Sequence, residues 1–392
     1  MQSTAPKICV ISASPFSMFF FFSEHLRKMS QWSNVTIVYN KMYHPDAQPI
    51  NAPVKEEHVK IKRNISLIND VFALISLIRL FKRNQFDMVI TLAPKAGLLG
   101  MMAARFCRVQ VRLNIFQGEV WATRKGLYRF LLRFADTLTA TLSTDILAVS
   151  NSQRRFLIKE GVVSADKVLV LGHGSIGGVN SERFKRDSNC RREIRDQYNI
   201  EEAANVLIFV GRITRDKGVF DLVASFVELL TYKPNTFLFI VGPDDDGLSI
   251  NLTAIMNLKD RHKLIFPGLT EEPERFMAAA DILCLPSHRE GFGMVALEAA
   301  ACEIPTIGSD IYGIRDAIVH KQTGLLVPSG DRQALVGALN LLLEDHNLRT
   351  SFGQNGRSRV LSHFNSNHVI DNYVSHFKKR STPLVELRSH SR

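Results

Sequence analysis

No pair of cysteines in this 392-residue chain stands at C-x-x-C spacing. The five present, Cys9, Cys107, Cys190, Cys284 and Cys302, are scattered, which excludes a cysteine-only zinc site and argues against a disulfide scaffold. No run reaches 18 apolar residues, so nothing reads as a membrane-spanning helix. The first residues lack the basic start and unbroken apolar core of a secretory leader, because serines and Pro15 precede the phenylalanines. G-x-G-x-x-G and the Walker A loop are both missing. His288 has no His or Asp at ligand spacing, and Asp244-Asp245-Asp246-Gly247 lacks the rest of a calcium loop, so no metal is expected. Aromatic stacking motifs are absent as well, and no nucleic-acid partner is expected. What remains, 45% hydrophobic and 22% charged, is the composition of a globular protein long enough for two domains or three.

The net charge of +11 is lopsided. Residues 1–180 hold 23 Lys+Arg against 11 Asp+Glu, a balance of +12, whereas residues 181–392 hold 26 against 27. The first half is therefore expected to meet an anionic partner. Val71–Arg83 is apolar with a basic end, and Arg129 and Arg133 stand four apart, on one helix face. Both segments fit a basic amphipathic helix on an anionic membrane surface, or equally a domain helix with basic residues in solvent. Phe19–Phe22 puts aromatics all round one helix, which must be deeply sandwiched, line an apolar site or touch lipid.

Strand-like runs at Lys7–Ala13, Asn34–Tyr39, Asp87–Leu92, Gln110–Phe116, Asp145–Ser150 and Lys167–Leu171 alternate with helical stretches, the pattern of a parallel sheet covered on both faces. A glycine-rich turn, Gly172–Asn180, and a polar stretch at 181–204 mark a domain boundary, and the pattern then restarts at Val206–Val210. The expected organisation is α/β: an N-terminal domain over 1–180, a C-terminal one over 181–377 whose last helix can return to the first, and a flexible tail at 378–392. Two doubly wound units facing each other would leave a cleft at their strand ends.

Three clusters carry candidate chemistry. Gly211-Arg212-Ile-Thr-Arg-Asp-Lys217-Gly218 follows a strand and opens a helix. Backbone N–H groups and two cations there suit a phosphate, although a plain strand-to-helix turn would also use them. In Glu290-Gly291-Phe292-Gly293-Met-Val-Ala-Leu-Glu298, the second glutamate sits in a run otherwise free of charge. Its carboxylate needs a partner, either sugar hydroxyls or a protein group. The third cluster is the turn at Gly172–Gly178 with His173 and Ser175, which a glycine-rich linker explains as well.

Taken together, G-R-x-x-x-x-K-G at 211–218, E-G-F-G-x-x-x-x-E-A at 290–299, Thr323-Gly324-Leu-Leu-Val-Pro328 and Asp331 resemble the retaining, nucleotide-sugar-dependent glycosyltransferases of family four. The resemblance covers about residues 5–377 and implies the GT-B fold, two facing Rossmann-like domains. It implies that Arg212 and Lys217, with Gly211, hold the donor diphosphate, where fixed cations stabilise the charge of the departing group. Glu290, with Gly291, Phe292 and Gly293, would engage the transferred sugar, and Glu298 the donor ribose. Arg212, Lys217 and Glu290 would be the catalytic set, acting by front-side attack with no metal and no other cofactor.

The first domain is similar to a narrower group that extends saccharides on polyprenyl diphosphate in O-antigen, capsule or protein-glycan assembly. Pro94–Gly100, Phe116–Gly126, Ala148–Ser152 and Gly172–Asn180 carry that likeness. It implies a peripheral protein on the cytoplasmic face of the inner membrane, with Lys95, Gln117, Arg124, Lys125 and His173 toward the acceptor and a UDP-sugar as donor. A soluble acceptor, or a sugar-nucleotide-binding protein without turnover, are the alternatives. Three positions depart from the family pattern. Gln117 replaces a histidine and cannot serve as a base, Ser14–Ser17 replaces a glycine pair, and Asp310-Ile-Tyr-Gly313 replaces a double glycine.

Overall fold

The computed structural model describes residues 5–13, 17–43, 50–62, 66–92 and 94–390. The departure at Ser14–Phe16 lies outside them. Two compact units emerge, 1–177 with 367–392 and 178–366. The chain thus crosses between them three residues before the expected boundary and crosses back at 366–367.

The first unit is built on a seven-stranded sheet. In chain order its strands are β1 (Lys7–Ser12), β2 (Asn34–Tyr39), β3 (Lys55–His58), β4 (Met88–Leu92), β5 (Val111–Phe116), β6 (Asp145–Ala148) and β7 (Val168–Leu169). They stand in the order β3-β2-β1-β4-β5-β6-β7, and every pairing is parallel. Five of the six residues in β1 and all five in β4 are buried, which is why these strands read as unbroken apolar runs rather than as alternation. The helices are α1 (Ser23–Met29), α2 (Leu67–Asn84), α3 (Pro94–Phe106), α4 (Gly126–Leu142) and α5 (Asn151–Lys159). Helices α2, α3 and α4 pack side by side. Each connects parallel strands of one sheet, so all three start at the edge where the strands end.

The second unit repeats the plan. It contains α6 (Ser188–Gln197), β8 (Asn205–Val210), α7 (Val219–Leu229), β9 (Thr236–Val241), α8 (Leu248–Ile255), β10 (Leu264–Gly268), α9 (Pro273–Ala279), β11 (Ile282–Leu285) and α10 (Met294–Ala301). It continues with β12 (Thr306–Ser309), α11 (Ile314–Ala317), β13 (Gly324–Val327), α12 (Arg332–Glu344) and α13 (His346–Arg359). Its parallel sheet runs β10-β9-β8-β11-β12-β13. Leu207, Phe209, Val223, Phe226, Leu238, Ile240 and Leu339 form the middle of its core. Helix starts are capped by side chains: Asp331 accepts from the Ala334 N–H at 3.0 Å and Asp345 from that of Leu348 at 2.8 Å. Asp244, in the acidic run, accepts from the N–H groups of Leu248 and Ser249 at 2.7 and 2.9 Å, so it caps α8.

Of the residues expected to be a flexible tail, 378–392, those at 378–390 form the end of the last helix, α14 (Ser366–His390), which belongs with the first unit. Tyr373 and Phe377 of that helix are fully buried, and Tyr373 donates to the Ser175 carbonyl at 2.9 Å. The Phe19–Phe22 run is not a uniform α-helix: Ser17–Phe21 is a π-helical turn leading into α1. Phe22 is fully buried, stacked on His25 with centroids 4.3 Å apart and tilted against Phe377 at 6.2 Å, while Phe20 is exposed. Sandwiching between α1 and α14 therefore accounts for Phe22.

Candidate functional site

In the second unit, β8 delivers its chain into the turn that carries Gly211, Arg212 and Lys217. Gly218 ends that turn at φ 70°, where a Cβ would lie 2.1 Å from the Pro286 carbonyl oxygen. Only glycine fits, and the close approach brings the 286–293 loop onto the start of α7. Lys217 Nζ there forms an ion pair with Glu290 Oε1, which also accepts from the Ser287 hydroxyl at 3.0 Å. Arg212 stands exposed. One cation and one carboxylate expected from the sequence are thus in direct contact, although they are 73 residues apart.

The loop is held from outside by groups that no sequence motif announced. His288 Nε2 meets Asp221 Oδ2 at 3.2 Å, and its Nδ1 meets the Ser329 hydroxyl at 3.0 Å. Its backbone N–H donates to the Asp216 carbonyl at 2.9 Å. Asp221 also takes Arg332 Nε at 3.0 Å, and Arg289 approaches Asp216 at 3.5 Å. Through His288 the loop carrying Glu290 is strapped to α7 on one side and to the turn before α12 on the other.

Past the loop, Phe292 is buried and Gly293 starts α10 at φ 72°. Gly313, the one glycine kept where the family has two, has φ 84°, and a Cβ there would lie 2.6 Å from the Gly291 carbonyl. The departing loop 310–313 is therefore pressed on the backbone of the candidate sugar site. Asp310 is tied to Arg315, Oδ2 to Nη2, at 3.0 Å. Glu298, one turn into α10, is half-buried. Burial pushes its carboxyl up to about 7; the Arg183 guanidinium opposes the shift and the Glu274 carboxylate adds to it. Arg183 in turn pairs with Glu274 at 2.9 Å and donates to the Glu271 carbonyl.

In the first unit the candidate acceptor residues gather at the edge where the strands end. Lys95 opens α3 after β4, Gln117 follows β5, Arg124 and Lys125 precede α4, and His173 follows β7. Lys95 is not a free cation, because its Nζ lies 2.6 Å from Asp70 of α2. Arg124 and Lys125 are exposed. Glu119, which the sequence reading passed over, is fully buried and accepts from Gln153 at 2.8 Å, fixing the Gln117–Glu119 loop to the start of α5. Arg129 and Arg133 both reach Glu160, at 2.8 and 3.6 Å. Arg129 also lies over the Trp121 ring, 5.3 Å from its centroid, so this pair serves packing within the unit.

A protein-family model described as glycosyl transferases group 1 matches residues 190–359. The capsular polysaccharide biosynthesis glycosyltransferase CapM of Staphylococcus aureus is 32% identical over 309 residues, 79% of this chain and 80% of that one. The chain belongs to the group 1 glycosyltransferases. Also similar, at 28% identity over 77% of this chain and 78% of the relative, is the UDP-Gal:alpha-D-GlcNAc-diphosphoundecaprenol alpha-1,3-galactosyltransferase of Escherichia coli. Among solved structures, HepE of Anabaena in complex with UDP superposes with a TM-score of 0.78 at 16% identity, covering 95% of this chain and all of that one. The fold is the GT-B type expected from the sequence, with a Rossmann-like parallel sheet in each unit, and the enzyme is a nucleotide-sugar-dependent glycosyltransferase.

The strap gives a first prediction for the enzyme. His288→Ala removes the hydrogen bond to Ser329, worth about 0.5–1.5 kcal/mol, together with the contact to Asp221, and frees the Glu290 loop from α7. A roughly 3- to 30-fold loss of kcat/KM for the donor is expected. His288→Asn, which keeps one partner, should recover part of it. Equal kinetics in wild type and His288→Ala would show that the loop holds its position without the strap.

Proposed function

We propose that the enzyme moves a hexose or an N-acetylated aminosugar, with retention of configuration, from a UDP-sugar to a saccharide carried on polyprenyl diphosphate. The observation that carries this is the contact of Lys217 with Glu290 at the start of α7, which sets a cation for the leaving diphosphate beside a carboxylate for the sugar. Arg212 and Lys217 meet the negative charge that builds as the bond from the anomeric carbon to phosphate oxygen breaks. Glu290 and the backbone at Gly291, Phe292 and Gly293 hold the sugar, and Glu298 accepts from the ribose hydroxyls. The acceptor oxygen attacks the anomeric carbon on the face the diphosphate is leaving, and its proton passes to the departing phosphate oxygen. This route needs no base at Gln117 and no metal.

Arg124 and Lys125 are assigned to the acceptor diphosphate with His173 and Gln117 nearby on the same sheet edge, and Lys95 joins them by exchanging Asp70 for phosphate. The acceptor named for the Escherichia coli relative, a diphosphoundecaprenol-linked sugar, supports the lipid-linked class. Among the described residues no helix is long and apolar enough to cross a membrane, and the +12 balance of the first half favours residence as a peripheral protein on an anionic cytoplasmic leaflet.

A panel of nucleotide sugars assayed with lipid-linked saccharides tests the proposal. One donor should add one glycosyl mass to the product, with acceptor-dependent release of UDP that persists within twofold in EDTA. Absence of nucleotide release with every donor in the panel, or equal transfer to soluble saccharides, would overturn the assignment, and loss of activity in EDTA would overturn its metal independence.

A further inference from the structure

Along α4, Leu127, Leu131, Phe134, Leu138 and Leu142 recur at helical spacing on one side. Three of them are largely in solvent, Leu127 at 72%, Phe134 at 59% and Leu131 at 49%, and neighbouring Phe130 is 63% exposed. The first turns of α2 repeat this with Leu67, Ile68, Val71 and Phe72, all more than half exposed. Between them, α3 ends in an exposed Phe106 with the Lys82 ammonium over its ring, 5.5 Å from the centroid. Apolar side chains on three adjoining helices of one layer are far more than the scattered exposure of an ordinary surface.

The charge around them has one sign. From residue 66 to 142 the chain carries eleven Lys+Arg and four Asp+Glu. Of the four acids, Asp87, Glu119 and Asp136 are buried and Asp70 is held by Lys95. The layer therefore shows solvent no unpaired acid, while Arg79, Lys82, Arg105, Arg108, Arg124 and Lys125 are exposed. A groove of about 470 Å³ is lined by Met102, Arg105, Phe106 and Arg108, in or just past the end of α3, and by Leu138 and Leu142 of α4. Apolar side chains beside two guanidinium groups match an acyl chain attached to a phosphate.

We propose that the outer face of α2, α3 and α4 seats on an anionic phospholipid bilayer, with the groove taking one acyl chain and Arg105 and Arg108 its phosphate. Apolar insertion then supplies the attachment and the surrounding bases select anionic lipid. Arg129 and Arg133, engaged with Glu160, take no part. This deepens the membrane residence proposed above and rests on it. Binding is read without donor or acceptor, so it can fail while transfer stands.

Sedimentation with vesicles of phosphatidylcholine, alone or with 30% phosphatidylglycerol, is the test at about 0.15 M salt. Wild type should bind the mixed vesicles at least tenfold better than the neutral ones. Leu131→Ser with Phe134→Ser should lower that binding at least tenfold, and Arg105→Glu with Arg108→Glu should abolish the preference for phosphatidylglycerol. Because all four side chains are exposed, thermal melting confirms that the variants fold. Equal binding by wild type and both variants, or equal binding to both vesicles, would overturn the proposal. So would a wild-type dimer in light scattering that the Ser variant converts to a monomer, since that would assign the face to a second copy of the chain.

Discussion

Lys217→Ala is expected to lower kcat/KM for the donor by at least ~100-fold, the scale on which one fixed group facing transition-state charge contributes. The geometry makes the loss larger than that of a surface cation. Lys217 is half-buried at the start of α7 and neutralises Glu290, so in the proposed site its removal leaves that carboxylate, which also accepts from the Ser287 hydroxyl, uncompensated toward the departing diphosphate. A stabilising charge is removed and an opposing one is uncovered. Lys217→Arg keeps the charge but not the reach, and should fall between the two. Initial rates of acceptor-dependent nucleotide release measure the effect, and thermal melting separates it from unfolding. A rate within threefold of wild type would place Lys217 away from the diphosphate.

How much of this was legible beforehand depends on the range of the interaction. The buried strands β1, β4 and β8 show as apolar runs because both of their faces are covered, and the two sheets follow from the alternation of such runs with helices. The turn at 211–218 and the loop at 290–293 were also legible, since their glycines and charges lie within a few residues of one another. Groups that meet across the sequence were not. Arg183 lies in the polar stretch read as a domain boundary, 91 residues before Glu274, and nothing local distinguishes it from the exposed arginines around it. The same holds for the Lys95–Asp70 pair and for the strap at His288, whose partners come from α7 and from the turn before α12. A basic residue in a sequence shows a charge but not whether it is already spent, which is why Arg129 and Arg133 read equally as membrane contacts or as solvated ends of a domain helix. The last helix was expected to return to the first domain, but its length was obscured: Lys378-Lys379-Arg380 resembles a solvated tail, while the residues that fix the helix, Tyr373 and Phe377, find their neighbours at Phe22 and His25.

Glu298 is expected to make the enzyme sensitive to pH. In the folded enzyme its carboxyl is raised from an ordinary 4.5 to about 7, chiefly because burial strips water from the charged form. As the proposed ribose ligand, Glu298 accepts from hydroxyls more strongly when ionised, so donor binding is expected to draw on the deprotonated fraction. Donor kcat/KM should then be level above pH 7 and fall about tenfold per pH unit below it. Glu298→Gln, whose amide oxygen still accepts but carries no charge, should lose about one to two decades of kcat/KM at pH 8, hydrogen bonds to charged groups being worth about 1.5–3 kcal/mol, and its profile should lose the slope near 7. Stability should move the opposite way. Between 4.5 and about 7 the folded state holds the Glu298 proton more tightly than the unfolded chain does, so stability declines as pH rises through that window. The glutamine variant should therefore melt a few degrees above wild type at pH 8 and level with it at pH 4. A wild-type profile flat from pH 5.5 to 8, or a slope that survives in Glu298→Gln, would remove Glu298 from the ribose site.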